Sequence, residues 1–397
     1  MVWHTRDKYT LAQGKIYPVA LSFILFQEDT MENARKTRVP WAIVLLIVVF
    51  SCTVAYCGAL LFNTITSDDG YQYEVVELSG NKGIEVTDNG FVYYDGSSIS
   101  SISSQAAPMW SYLIGSEADF DATDYGVAAW SDTSLTLIDG ITGTTTFSGT
   151  MEAEVLSARI GEKYTAVLLG PEHNSTIVLM EHGGRRVNSI TLTNQTVIDF
   201  GFFSQGSLMW VMSLDSSGTA PACTINTYRP GKEIVGSIRD TEQIMYGVVF
   251  QSSYFACAGD TYIKVYDYTG SEDKSRRRLV YGWYMAELDD AQDDPMMAFV
   301  PTDQFDSQAG MQDVRMVRAN LDQQVRMPYG CQSLIARGNH VYGFSTNGYV
   351  MIATQGSEKV NAYPLPMLFD KVYGVTGGNV AVLGSGNLIY LLTLPDT

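Results

Sequence analysis

The sequence predicts an all-β protein: a β-propeller of eight blades, with seven as the fallback, preceded by a single transmembrane α-helix. Three observations predict it. A hairpin pattern recurs eight times after residue 70, the first strand of each hairpin is apolar on consecutive residues, and one long apolar run stands before them all. The 397 residues suffice for one large repeat-built domain, and 36 glycines with 24 tyrosines suit a turn-rich, aromatic-rich β protein.

The first residues are expected not to be a functional arm. Residues 1–30 show no periodicity, and their apolar part, Ile16 to Phe26, is too short to span a bilayer. Gln27-Glu28-Asp29 can be encoded by a purine-rich stretch resembling a bacterial ribosome-binding site just before Met31, so translation is expected to begin there.

Residues 39–63, "VPWAIVLLIVVFSCTVAYCGALLFN", are long and apolar enough to cross a membrane as one helix. Pro40 suits the first helical turn and Trp41 the interface. Arg35, Lys36 and Arg38 precede the run, and Asp68 and Asp69 follow it. The positive-inside rule then places residues 1–38 in the cytoplasm and everything beyond the short linker, 64–72, outside the cell membrane. The run exceeds a signal-peptide core and no small-residue cleavage site follows, so an uncleaved anchor is expected.

The hairpins follow in order: 90–103, 125–139, 163–181, 207–228, 253–268, 295–319, 340–354 and 379–394. Their first strands start about 36 to 46 residues apart, bracketing the period of a four-stranded blade. Between them lie further strand-like segments: "APMWSYLIG", "RRVNSITL" with "TVIDFGFF", and "KEIVGSI" with "IMYGVVF". Runs such as Val127 to Trp130, apolar without alternation, fit sheets buried on both faces. "YEVVELS" near residue 75 and the strands after Val380 are together close to one blade, so the ring is expected to close by a sheet drawn from both ends.

"DNGFVYYDGSSISSISSQAAPMWSY" and "YGVAAWSDTSLTLIDGITGTTTFSG" resemble the tandem repeats of quinoprotein-like and WD-type β-propellers, over roughly residues 71–397. The whole chain resembles bacterial envelope proteins with one N-terminal membrane helix and an external propeller. The quinoprotein likeness implies a quinone cofactor held beside a disulfide of adjacent cysteines, yet no Cys-Cys pair occurs here. No cofactor is expected.

The net charge of -18 disfavours nucleic acid and anionic lipid as partners, the more so because six of the 25 basic residues precede the apolar run. Outside that run lie Cys223, Cys257 and Cys331; Cys257 in "YFACAG" reads as a small buried hydrophobe, and one disulfide among the three stays open. His173, His182 and His340 lack metal-ligand spacing and read as loop or surface residues. The acidic run at 287–295 lacks calcium-loop order and reads as a solvated inter-blade loop. "KSRRRL" (274–279), beside "YGWYM" (281–285), combines charge and aromatics that suit an anionic or sugar ligand, although pairing with the acidic run is favoured. "GSGNLIY" (384–390) reads as a turn, and no nucleophile elbow, P-loop or zinc-protease motif occurs.

No catalytic, cofactor or metal residue is assigned, and the chain is expected not to be an enzyme. The expectation is a membrane-anchored binding platform for an envelope protein or cell-surface polymer. The alternative is a carbohydrate-active enzyme or glycan-binding module with a site on the propeller axis, where carboxylates from distant blades leave no local motif.

Overall fold

The computed structural model describes residues 72–394, apart from 171–175, 204–205, 216–217, 219–220, 252, 290–293 and 306. The membrane-helix reading of 39–63, the start at Met31 and His173 lie outside the described residues. The chain divides into two compact units at Gly70 and Tyr71, and the description concerns the second. No helix of the described residues is long and apolar enough to cross a membrane.

Thirty-two strands, numbered β1 to β32 in chain order, form eight four-stranded antiparallel sheets among the described residues. Seven sheets use four consecutive strands. The eighth has the order β1-β32-β31-β30, so β1 (Tyr73–Glu77) is its outer strand, against β32 (Leu388–Thr393). Tyr73 opposes Leu392 and Glu77 opposes Leu388, and the Leu78 amide extends the ladder to the Asn387 carbonyl at 2.9 Å. Closure by both ends is borne out, and the count is eight rather than seven. The hairpin at 295–319, despite its long loop, is a true blade hairpin: β23 (Met296–Pro301) pairs with β24 (Met311–Arg318).

All eight sequence hairpins are the middle two strands of their blades. Their consecutive apolar residues have a clear cause: each sheet is covered on both faces by the neighbouring sheets. Eight separate apolar cores fill the eight joints. Val92 and Ile99 of blade one meet Val127 and Ile138 of blade two, and Phe91 and Ile102 meet Val382 and Leu391 where the ring closes. In β7 (Gly126–Ser131) five consecutive residues are buried. A ring built this way stabilises every blade through two interfaces and leaves its ladder edges only at the axis and the outer rim.

The innermost strands are β2 (Gly83–Thr87), β6 (Asp119–Thr123), β10 (Val155–Ile160), β14 (Gln195–Phe202), β18 (Met245–Gln251), β22 (Trp283–Asp289), β26 (Ser333–Arg337) and β30 (Lys371–Val375). They surround the axis. Register shifts interrupt five of them, at Leu156, Ile198, Tyr246, Ala286 and Tyr373, where one extra residue bulges from the ladder. Bulges raise local twist and re-aim side chains, whereas β2, β6 and β26 pair without one.

Candidate functional site

Two cavities of about 600 and 470 Å³ border the inner strands and share Val86, Arg337 and Val375. The larger is lined by Asp88, Asp121, Asp124, Arg159, Glu162 and Asp199 with aromatic Tyr125, Phe202 and Phe250; the smaller by Glu287, Asp289 and residues of β26 and β30. The axis is therefore polar, not plugged with apolar side chains.

Three of these charges share one rung with Glu85. Glu85, Asp121, Arg159 and Glu287 each oppose the third residue of the next strand in their blade, namely Val92, Ala128, Ala166 and Ala298. Asp199 sits close to that rung on β14, opposite Met212. Two carboxylates on this rung bind across blade joints. Glu85 accepts from the Ala122 amide of the next blade, and Asp121 accepts from the Ile160 amide of its next blade at 2.7 Å. Asp289, two residues beyond the rung, does the same with the Gly338 amide at 2.6 Å. Arg159 lies between Asp121 (3.1 Å) and Asp199 (3.7 Å).

At the ends of the inner strands, the Asp88 amide donates to Asp124 Oδ1 at 2.7 Å, and Arg337 of blade seven reaches Asp88 at 2.9 Å. This chain of contacts joins blades seven, one and two around the mouth of the axis.

Burial governs the charges. It pushes the Glu85 carboxyl up to about 7, helped by the nearby Asp121 charge and opposed by the Ala122 amide and Arg159. Glu287 is likewise pushed up to about 7 by burial alone. Burial raises Asp121 despite the Ile160 amide and Arg159, and raises Asp124, which also feels Asp88. Desolvation explains all four, because low-dielectric surroundings penalise the charged form.

The residues singled out in the sequence fall elsewhere. Cys223, Cys257 and Cys331 are all free and buried, so no disulfide joins them. Burial pushes the Cys331 thiol up to about 12, and Cys257 is a packed core residue with its thiol also raised. His340 is not a loop residue: it lies on β27 (His340–Ser345), with Nδ1 3.1 Å from Thr354 Oγ1, and burial lowers its pKa. His182 Nε2 lies 2.9 Å from the Gly161 carbonyl. No metal-holding cluster occurs among the described residues.

The acidic run is corrected in part. Glu287 to Asp289 belong to β22 and Asp289 is 3% exposed, because an inner strand and not a solvated loop carries them; residues 290–293 lie outside the described residues. Among the described residues, the arginines of "KSRRRL" do not pair with that run. Arg277 pairs with Glu272 at 2.8 Å and Glu242 at 3.5 Å, and Arg278 donates to backbone carbonyls, because the outer edge of blade five faces the turn of blade six. "GSGN" is a hairpin turn between β31 (Val380–Ser385) and β32, with Gly386 at φ 61°.

Sequence reasoning missed the axial residues. The available signal was Glu85, Asp121, Arg159 and Asp199 recurring about every 36 to 40 residues, one blade apart.

No family model matches the chain, and no curated protein matches it. Solved structures do. The C-terminal WD40 domain of Sif2 is 11% identical, covering 82% of this chain and 100% of that one at a TM-score of 0.57. The computationally designed Ika8 protein is 13% identical over the same shares at 0.55, and BamB from Moraxella catarrhalis 11% identical over the same shares at 0.52. At such identities the likeness is one of fold, and it agrees with the architecture above: the chain has a β-propeller fold like that of WD40 domains and BamB.

Proposed function

We propose that this propeller is a non-catalytic protein-interaction platform, anchored by residues 39–63 and displayed outside a bacterial membrane at the cell envelope. One observation carries the interaction role. Leu156, Ile198, Ile244 and Leu368 are 47 to 75% exposed, and all lie in an inner strand, or just before one, on the side where inner strands begin or at a bulge. Large exposed apolar side chains near the inner strands of blades three, four, five and eight suit a docking surface. The axial carboxylates of Glu85 and Asp121 are meanwhile engaged by amides of the next blade, which suits a structural role. The acidic surface fits a protein partner with basic groups and disfavours nucleic acid.

Crosslinking in cells, followed by detergent extraction, tests this. One specific envelope protein should be recovered with the native chain and lost with the Ile198→Asp, Ile244→Asp double variant at unchanged melting temperature. Equal recovery from both would sink the docking face. Anchoring is tested separately: the full chain should stay with alkali-washed membranes and a chain starting at Tyr73 should not.

A second reading, a glycan-active enzyme, is favoured by Glu287. Its carboxyl, pushed up to about 7 by burial, borders the smaller axial cavity and has no hydrogen-bond partner among the described residues. Hydrolysis of a cell-wall polysaccharide that Glu287→Gln abolishes would establish it.

A further inference from the structure

We infer that the cleft between blades five and six is a binding site for a small hydroxylated anion, an acidic sugar carrying a carboxylate or a phosphate. The cleft has a volume of about 480 Å³, and Gln251, Tyr254, Arg276, Arg278, Arg318 and Asn320 contribute to its lining.

The three adjacent arginines on the outer edge of β20 (Tyr262–Tyr266) are held in three ways. Arg277 forks onto Glu272 with 2.9 and 3.0 Å bonds and is neutralised there. Arg278 donates to the Leu321 carbonyl at 2.6 Å and to the Ala319 carbonyl of the next blade. The guanidinium of Arg276 lies 3.6 Å above the centre of the Tyr254 ring. Carbonyls and a ring face orient a guanidinium without cancelling its charge.

The nearby carboxylates are already engaged. Asp273 accepts from the Ser275 amide at 3.1 Å and its hydroxyl at 2.6 Å. Asp322 is forked with Arg315 through bonds of 2.7 and 2.8 Å. Asp273 and Asp322 lie within electrostatic range of Arg276 and Arg278, yet neither arginine forms an ion pair among the described residues, so both carry positive charge to a cleft in a chain whose net charge is -18. Arg318, 8% exposed, also borders the cleft and is itself held by Asn339 at 2.9 Å, Gln355 at 3.0 Å and the Gly338 carbonyl. An oxyanion matches such donors in charge and geometry.

The hydroxyl requirement comes from Gln251. It is 3% exposed, and its Oε1 has no hydrogen-bond partner among the described residues. A simple oxyanion brings no donor to that amide. A sugar hydroxyl does.

Calorimetric titration of the detergent-solubilised full chain with glucuronate, glucose 6-phosphate and glucose is the test. Saturable binding of either anion, with glucose silent, is expected, and the stronger of the two identifies the acid group. Arg276→Gln should weaken binding at least about tenfold without moving the melting temperature, while Arg276→Lys retains most of it. Because Asn320 is exposed at the lip, Asn320→Asp gives an independent check and should weaken both anions by repulsion. The inference is overturned if neither anion saturates at about 10 mM, if glucose binds as well, or if both Arg276→Gln and Asn320→Asp bind like the native chain.

Discussion

Replacing Glu287 with glutamine should stabilise the protein at neutral and alkaline pH but not in acid. Burial raises this carboxyl from 4.5 to about 7. For an acid the sign is fixed: the folded state holds the proton more tightly than the unfolded one, so ionisation opposes folding. The penalty is absent below pH 4.5, grows as pH rises from there to 7, and is complete above 7. Without screening it would reach at most about 3 kcal/mol. The carboxylate borders an open cavity, so water screens part of it and about 1 to 2 kcal/mol is expected. Glutamine keeps the shape and removes the ionisation. Urea unfolding of native and Glu287→Gln chains at pH 8 and pH 4.5 measures the effect, with the variant ahead at pH 8 and the gap falling to a small fraction at pH 4.5. A variant no more stable at pH 8, or a gap that is the same at both values, refutes the assignment of the shift to burial.

Other expectations follow from the joints between blades. Phe299 is fully buried between blades five and six, so Phe299→Ala should cost about 3 to 5 kcal/mol in urea unfolding. Lys264 and Asp240, each 3% exposed at the side chain, pair at 2.7 Å across blades four and five; Lys264→Ala should cost about 3 to 5 kcal/mol, and the Lys264→Met, Asp240→Leu double variant should regain most of it. Gly143 has φ 67° and a side chain there would meet the Trp110 ring at 2.5 Å, so Gly143→Ala should lower stability by about 1 to 3 kcal/mol, read by thermal unfolding.

The sequence revealed the middle of each blade and concealed its margins, for a physical reason. Strands such as β7 and β12 (Thr176–Glu181) are covered on both faces, so their apolar runs are unbroken and visible. Inner strands border a wet axis and read as nondescript: β2 is "GIEVT" with every residue half-buried, and β30 is "KVYGV" with a bulge inside it. The outer strand of blade five, β21 (Arg278–Leu279), is two residues long and leaves no pattern at all. The axial site suffered from the same dispersal, since its charges are scattered one or two to a blade, with none on β18, and the partners that hold Glu85 and Asp121 are backbone amides a full blade away. The arginine run was visible, but its placement against blade six, where its carbonyl acceptors lie, was not.

The seam that shuts the ring sets an order on its birth. β1 is translated before every other strand of the circle and β32 after all of them, yet they are hydrogen-bonded neighbours. Until β31 and β32 are made, the nascent chain is thus an arc with a bare strand at its head and the apolar flank of blade one, Phe91 and Ile102, turned to water. A product that stops before β32 cannot seal, which makes that strand a built-in check on closure of the circle.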